Sequence, residues 1–173
     1  MHRLTFGLFV FLVGCGTVST KGDGAFRAAS SPIYSNAAFD LNRLEGRWDQ
    51  VAAFANGAKS KCRSGGAEFV RKANAVDVRY GLCLSGQTVA GQGTVVAAGP
   101  GRFRVDGKDG LGQDWWVLWV DESYRTMAIG TPSGTFGFIL NKGADLPADR
   151  LNAALEVFDF NGYATEKSVS FGR

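Results

Sequence analysis

The stretch Val76–Leu84, VDVRYGLCL, has the most regular alternation of apolar and polar residues in the chain. Every second residue from Val76 onward is apolar and would share one face, whereas Asp77 and Arg79 lie on the other. A period of two is typical of a strand with one buried face. Ser85-Gly86 follows at once, and this pair is a two-residue hairpin signal. The sequence therefore predicts an antiparallel hairpin at the centre of the fold.

Similar runs lie on both sides of this hairpin, with turn signals between them and no helical pattern among them. The predicted strands are Gly46–Ala55, Ala67–Ala73, Val76–Leu84, Gln87–Ala98, Arg102–Val105, Trp115–Val120, Tyr124–Gly130 and Phe136–Asn141. Strands in simple succession favour an up-and-down antiparallel meander. Eight strands can close into a barrel with room for one small ligand. We therefore expect an all-β, eight-stranded antiparallel up-and-down barrel.

One helix is predicted after the strands. Pro147 suits its first turn, and Leu151, Ala154, Leu155 and Phe158 recur at helical spacing. Asn161-Gly162 ends the pattern, and residues 168–171 could add a short ninth strand. We expect this C-terminal α-helix to pack its apolar stripe on the outside of the barrel.

The N-terminus has the pattern of a targeting signal. Arg3 precedes the apolar run Leu4–Val13, which is too short to span a bilayer as a mature helix. The four residues that end at Cys15, LVGC, resemble a bacterial lipoprotein lipobox, in which the signal is cut before the cysteine and the cysteine receives lipid. The alternative is an ordinary secretory signal cleaved near Gly16.

This interpretation divides the chain into three parts. Residues 1–14 are a lipoprotein signal peptide, 15–37 a flexible tether rich in small and polar residues, and 38–173 the barrel domain. Because Gly16 rather than Asp follows the cysteine, the resemblance to lipoproteins implies the outer membrane of a bacterial cell envelope, with the barrel facing the periplasm.

Cysteine parity agrees with this compartment. Of three cysteines, lipidation of Cys15 leaves Cys62 and Cys83, which in an oxidising envelope most simply form one disulfide. The alternative is two buried free thiols.

Composition excludes several classes of function. The chain has 173 residues, 45% of them hydrophobic and 20% charged, which suits one globular domain. The net charge of +3 comes from dispersed residues, so no nucleic-acid footprint is present. The one histidine, His2, falls in the signal, so the mature chain lacks histidine-dependent catalysis or zinc binding. We expect no enzymatic activity, no metal and no cofactor.

Three short motifs carry a resemblance to a known family. The segment Phe39–Trp48, with its Gly-x-Trp, resembles the start of the first strand of lipocalins. Val120–Arg125 resembles the second lipocalin motif, an acidic turn followed by Tyr, and Ile139–Lys142 lies where the third follows the last barrel strand. The family has Arg at the position of Lys142. The resemblance covers residues 39–171 and is closest to bacterial outer-membrane lipoprotein lipocalins and apolipoprotein D.

The resemblance implies a closed end for the barrel. In lipocalins the first-strand Trp fills that end and a cation packs across its ring. The residues that match this role are Gly46, Trp48, Asp121, Tyr124 and Lys142. Since Lys does not stack or fork its hydrogen bonds as Arg does, we expect a weaker closure here.

Ligand contacts would then come from inward-facing residues of the strands. By alternation these are Phe54, Phe69, Tyr80, Phe103, Trp115, Met127 and Phe138. The inward or outward direction of each residue in Trp115–Trp119 is left open by the sequence. Arg71, Arg79 and Arg104 are candidates for a headgroup, although solvated outer faces suit them better.

The leading hypothesis is a membrane-anchored lipocalin that binds a fatty acid, lysophospholipid or similar lipophile for transport, storage or membrane-lipid maintenance. The expected partners are this ligand and the membrane, and the chain is expected to be a monomer or homodimer. A periplasmic protein-binding or protease-inhibitor barrel is an alternative, against which the helix and the second motif argue. A lipocalin-fold enzyme is the second alternative.

Overall fold

The structure, a computed structural model, describes residues 24–57, 62–108 and 110–171. Eight strands follow one another as predicted: β1 Gly46–Phe54, β2 Gly66–Arg71, β3 Val76–Leu84, β4 Gln87–Gly99, β5 Arg102–Lys108, β6 Trp115–Val120, β7 Thr126–Gly130 and β8 Gly137–Asn141. The two residues of the β3–β4 turn, Ser85 and Gly86, both have positive φ, as a tight hairpin turn requires.

Strand β1 closes the sheet into a barrel. Neighbouring strands pair antiparallel in the order β2 to β8, and β1 pairs with both β8 and β2. A ninth strand, β9 Ser168–Ser170, pairs with β1 beyond the end of β2. The predicted eight-stranded up-and-down barrel is confirmed.

Helix α1, Ala148–Phe160, packs on the outside of this wall, also as predicted. Pro147 is its N-cap residue, and Asn161 caps its C-terminus. The apolar residues form two clusters, one inside the barrel and one outside it. The buried helix residues Ala154 and Phe158 belong to the outer one, called the second cluster below, which lies between the helix and the outer side of β1, β6, β7 and β8.

Tyr163 anchors this second cluster. Its one hydroxyl proton is shared between the carbonyl oxygens of Thr131 (3.1 Å) and Phe136 (2.9 Å), and its oxygen accepts from the Thr131 N–H (2.8 Å). Burial raises the pKa of Tyr163 to about 12, so the phenol keeps its proton even at a pH at which an exposed tyrosine ionises.

The flexible tether predicted for residues 15–37 is wrong for its described part, residues 24–37. Phe26 is buried in the second cluster, and its N–H donates to the Gly134 carbonyl. The Arg27 guanidinium bonds to the carbonyl oxygens of Asn161 (3.1 Å) and Pro132 (2.7 Å). The side chains of Phe26 and Arg27 hold the segment against the barrel although most of their neighbours are small. The average composition of the segment therefore did not predict its packing. The signal peptide and Cys15 lie outside the described residues.

The predicted disulfide is present. The Sγ atoms of Cys62 and Cys83 are bonded, and the bridge ties the loop after β1 to the end of β3. Across the described residues, no helix combines the length and the apolar character needed to cross a membrane.

Candidate functional site

Six of the seven residues predicted to line the barrel lie in its interior. They come from six strands and are almost completely buried: Phe69, Tyr80, Phe103, Trp115, Met127 and Phe138. Alternation along each strand places these side chains inward, and they fill the space between the walls with apolar groups. That they contact a ligand stays a prediction.

Phe54 is the seventh residue, and its predicted position in the interior is wrong. A register shift between Gln50 and Ala52 interrupts the pairing of β1 with β8. Such a bulge adds a residue to one strand and reverses the alternation beyond it. Ala53 therefore faces the interior, and Phe54 packs outside against Phe158, with ring centroids 4.8 Å apart.

The tryptophans of β6 are divided between the two faces of the wall. Trp115 and Val117 belong to the interior, whereas Trp116 and Trp119 pack on the outer side. A register shift between Val117 and Trp119 again marks a bulge, which explains why strict alternation could not assign this strand. The Arg102 guanidinium lies over the Trp116 ring, 3.9 Å from its centroid.

Trp115 lies at the centre of the interior aromatic cluster. Its ring centroid is 5.0 Å from that of Tyr80, 5.4 Å from Phe103 and 5.3 Å from Phe138. The contacts with Tyr80 and Phe138 are edge-to-face, a favoured arrangement for aromatic rings. The indole is fully buried, and among the described residues its Nε1 is the one buried side-chain nitrogen or oxygen without a hydrogen-bond partner.

The interior has no buried charge within the described part of the chain. Arg27 is the one charged side chain buried there, and it belongs to the N-terminal segment outside the barrel. Arg79 and Arg104 are exposed on the outer face of the wall. Arg71 bonds to the Asn42 side chain (3.1 Å) near the closed end. The interior thus suits an uncharged or weakly polar group better than an ion.

The closed end is built around Trp48. Its indole Nε1 donates to the Leu44 carbonyl at 2.8 Å, and the side chain is completely buried. Lys142 Nζ lies 4.9 Å from the Trp48 ring centroid and donates to the Glu45 carbonyl at 3.1 Å. Gly46 has a φ of 110°, a conformation that side chains rarely adopt, so the turn into β1 requires a glycine.

The acidic turn between β6 and β7 supports the same end. One carboxylate oxygen of Asp121 accepts from the N–H groups of Arg125 and Thr126, each at 2.6 Å. Tyr124 takes a φ of 53° and accepts a hydrogen bond from the Asp40 N–H at 2.7 Å. The turn therefore holds the segment around Asp40, which precedes β1, in place at the closed end.

Sequence reasoning missed two structural residues, Arg43 in the short 3-10 helix Leu41–Arg43 before β1, and Gln50 in β1. Arg43 stacks on the Tyr124 ring, 3.7 Å from its centroid. Gln50 is buried and bridges β1 to β3, since its Nε2 donates to the Cys83 carbonyl (2.9 Å) and its Oε1 accepts from the Cys83 N–H (2.7 Å). Gln50 could have been identified from the sequence, because it is a polar residue on the predicted inward face of β1.

The wall has a seam between β5 and β6. These strands pair only at Arg102 with Trp116 and at Phe103 with Trp115. Beyond Phe103, β5 continues to Lys108 with β4 as its only paired neighbour among the described strands. The seam thus begins at Trp115, where the ladder between β5 and β6 ends.

A surface concavity of about 560 Å³ lies elsewhere, along strands β2 to β5. Its lining includes outward-facing charged residues of both signs: Glu68, Asp77, Arg79, Asp106 and Lys108. An open, charged surface of this kind does not suit a lipophile, so we place the candidate site in the interior.

Solved structures support the fold. Insecticyanin from the tobacco hornworm Manduca sexta is 17% identical, with 80% of this chain and 86% of that chain covered and a TM-score of 0.58. Per a 4, a major allergen from cockroaches, is 11% identical, with 82% and 95% covered and a TM-score of 0.59. Lobster apocrustacyanin A1 is 14% identical, with 78% and 79% covered and a TM-score of 0.55.

No curated protein matches the chain at a significant level. A family model described as a lipocalin-like domain matches residues 39–170, from the segment before Trp48 to the end of β9. Together with the closed eight-stranded barrel and its outer helix, this match shows that the chain belongs to the family of lipocalin-like domains.

Proposed function

We propose that the barrel interior binds one small lipophilic molecule, such as a fatty acid or a lysophospholipid. The observation that carries the proposal is the interior itself, an apolar cluster built from six strands and centred on Trp115. Lipocalins bind small hydrophobic ligands and are typically binding proteins without enzymatic activity. The proposal places an apolar tail among these side chains.

Binding requires side chains to move, because the interior is filled. Burial of a tail contributes roughly 25 cal/mol per Å² of apolar surface. Rotation of the rings and ordering of the ligand offset part of that gain, so we expect micromolar affinity. Met127, which is completely buried and has a flexible side chain, is the residue best suited to make room.

A pair of phenylalanines with equal burial tests the site. Phe138 is 0% exposed and faces the interior, and Phe54 is 1% exposed and lies under the helix. We expect Phe138→Asp to weaken binding at least about tenfold, since a carboxylate would stand beside the tail. Phe54→Asp should leave the affinity of folded protein within about twofold. Displacement of the neutral dye N-phenyl-1-naphthylamine measures both.

Both variants place a charge in a buried cluster, so circular dichroism must first show that each is folded. Met127→Gln keeps the side-chain volume and serves as a milder interior variant, for which we expect about fivefold weaker binding. Equal losses in the Phe54 and Phe138 variants would contradict an interior site.

We also propose that the protein is anchored through lipid on Cys15 to the outer membrane of a bacterial envelope and faces the periplasm. Support comes from the sequence alone, namely the apolar run Leu4–Val13, the LVGC segment and Gly16. Mass spectrometry of detergent-extracted protein should show an N-terminal cysteine with a diacylglyceryl group. Unmodified protein that begins at another residue would contradict this anchor.

A further inference from the structure

The unpartnered indole N–H of Trp115 is the unusual polar feature of the interior. Nearly all buried donors in folded proteins have a partner, and one that lacks it costs free energy. Trp48, which is equally buried, satisfies the same group with the Leu44 carbonyl. Trp115 Nε1 has no such acceptor among the described residues. The described part of the chain thus leaves this donor open to an acceptor that comes from elsewhere.

The surroundings of this donor decide which acceptor suits it. The rings of Tyr80 and Phe138 stand edge-to-face to the indole, and an N–H contact with a ring replaces a hydrogen bond only weakly. An ionised carboxylate beside Trp115 would need a cation, and within the described chain the one buried cation, Arg27, lies outside the barrel. An uncharged oxygen, such as the carbonyl of an ester or ketone, avoids that cost.

We propose that the ligand is a lipophile with an uncharged carbonyl oxygen, which accepts a hydrogen bond from Trp115 Nε1 in the middle of the barrel. This inference rests on the proposed function and narrows its ligand from any lipophile to one of this class. The seam between β5 and β6 begins at Trp115, so a molecule that enters through it reaches the neighbourhood of this residue. A free fatty acid with its carboxylate at the open end would leave the donor unpartnered.

Three probes with similar chains separate the alternatives: methyl palmitate, ionised palmitate and octadecane. Delipidated full-length protein is labelled with ¹⁵N at its four tryptophan indoles. We expect methyl palmitate to move the Trp115 indole resonance downfield, while octadecane does not. The Trp48 resonance is an internal reference, because its N–H already donates to Leu44.

Affinity in matched variants gives a second readout. Trp115→Phe keeps an aromatic ring and removes the donor, so we expect methyl palmitate to bind about fivefold more weakly. The affinity for octadecane should change by less than about twofold in this variant, because octadecane accepts no hydrogen bond. Trp116→Phe is the control, since Trp116 lies on the outer side under Arg102, and it should alter neither affinity.

Each remaining outcome contradicts a different statement. If methyl palmitate displaces the dye but leaves the Trp115 resonance in place, the hydrogen bond is wrong and lipophile binding stands. If ionised palmitate binds more tightly than its ester and produces the same shift, the uncharged class is wrong. If none of the three displaces the dye, the proposed function fails, and this inference fails with it.

Discussion

Replacing Trp48 by alanine is expected to lower the free energy of unfolding by about 3–5 kcal/mol, as for other large aromatic residues in cores. Trp48 is completely buried at the closed end, donates to the Leu44 carbonyl and lies beneath the Lys142 ammonium group. Alanine would leave a cavity, an unpaired carbonyl oxygen and a cation without its aromatic partner. Urea denaturation followed by circular dichroism measures the loss.

Trp116→Ala is the matched control for this change. Trp116 has the same side chain but is only partly buried, on the outer side of β6. Its removal should therefore lower the unfolding free energy much less than the removal of Trp48. Equal losses for the two variants would contradict the role given to the closed end.

Loss of the disulfide is expected to cost roughly 3 kcal/mol in the chain-entropy model. The bridge joins Cys62 to Cys83 across a sequence separation of 21 residues, beside the Gln50 side chain that links β1 to β3. We expect the double variant Cys62→Ser with Cys83→Ser to unfold at lower urea concentration. Wild-type protein should show the same loss after reduction.

The double variant treated with the same reductant is the control, because it has no bridge left to break and its stability should not change. Alkylation of native protein without reduction should leave Cys62 and Cys83 unlabelled. Ready labelling of both, or reduction without any change in stability, would contradict this account of the bridge.

The sequence was sufficient for the architecture because the fold depends on local patterns. The alternation in β3 and the turn at Ser85-Gly86 determine the central hairpin without reference to distant residues. Helix α1 could also be predicted from local sequence, since its apolar spacing and its end at Asn161 lie within one short stretch of the chain. Short connections then leave few ways to arrange eight strands other than a meander.

Bulges and isolated anchors could not be predicted in the same way. The bulge in β1 follows Gln50, whose side chain bonds to the backbone of β3, and it turns Phe54 away from the interior. The inward position of Gln50 marks it as unusual, but no local pattern shows which strand its side chain contacts or that a bulge follows it. The segment with Phe26 and Arg27 has the small neighbours that are typical of a tether. Yet the Phe26 N–H donates to Gly134, and the Arg27 guanidinium donates to Pro132 and Asn161, all more than a hundred residues further along the chain.

The central claim is that the interior holds one lipophilic molecule, and its most direct test does not require the ligand to be known. Delipidated protein is incubated with a lipid extract of a bacterial envelope, separated from free lipid, and extracted with organic solvent for mass spectrometry. The account predicts about one lipophile per folded chain and a strongly reduced amount for the Phe138→Asp variant. Folded wild-type protein that retains no lipophile, or no more than this variant does, would contradict it.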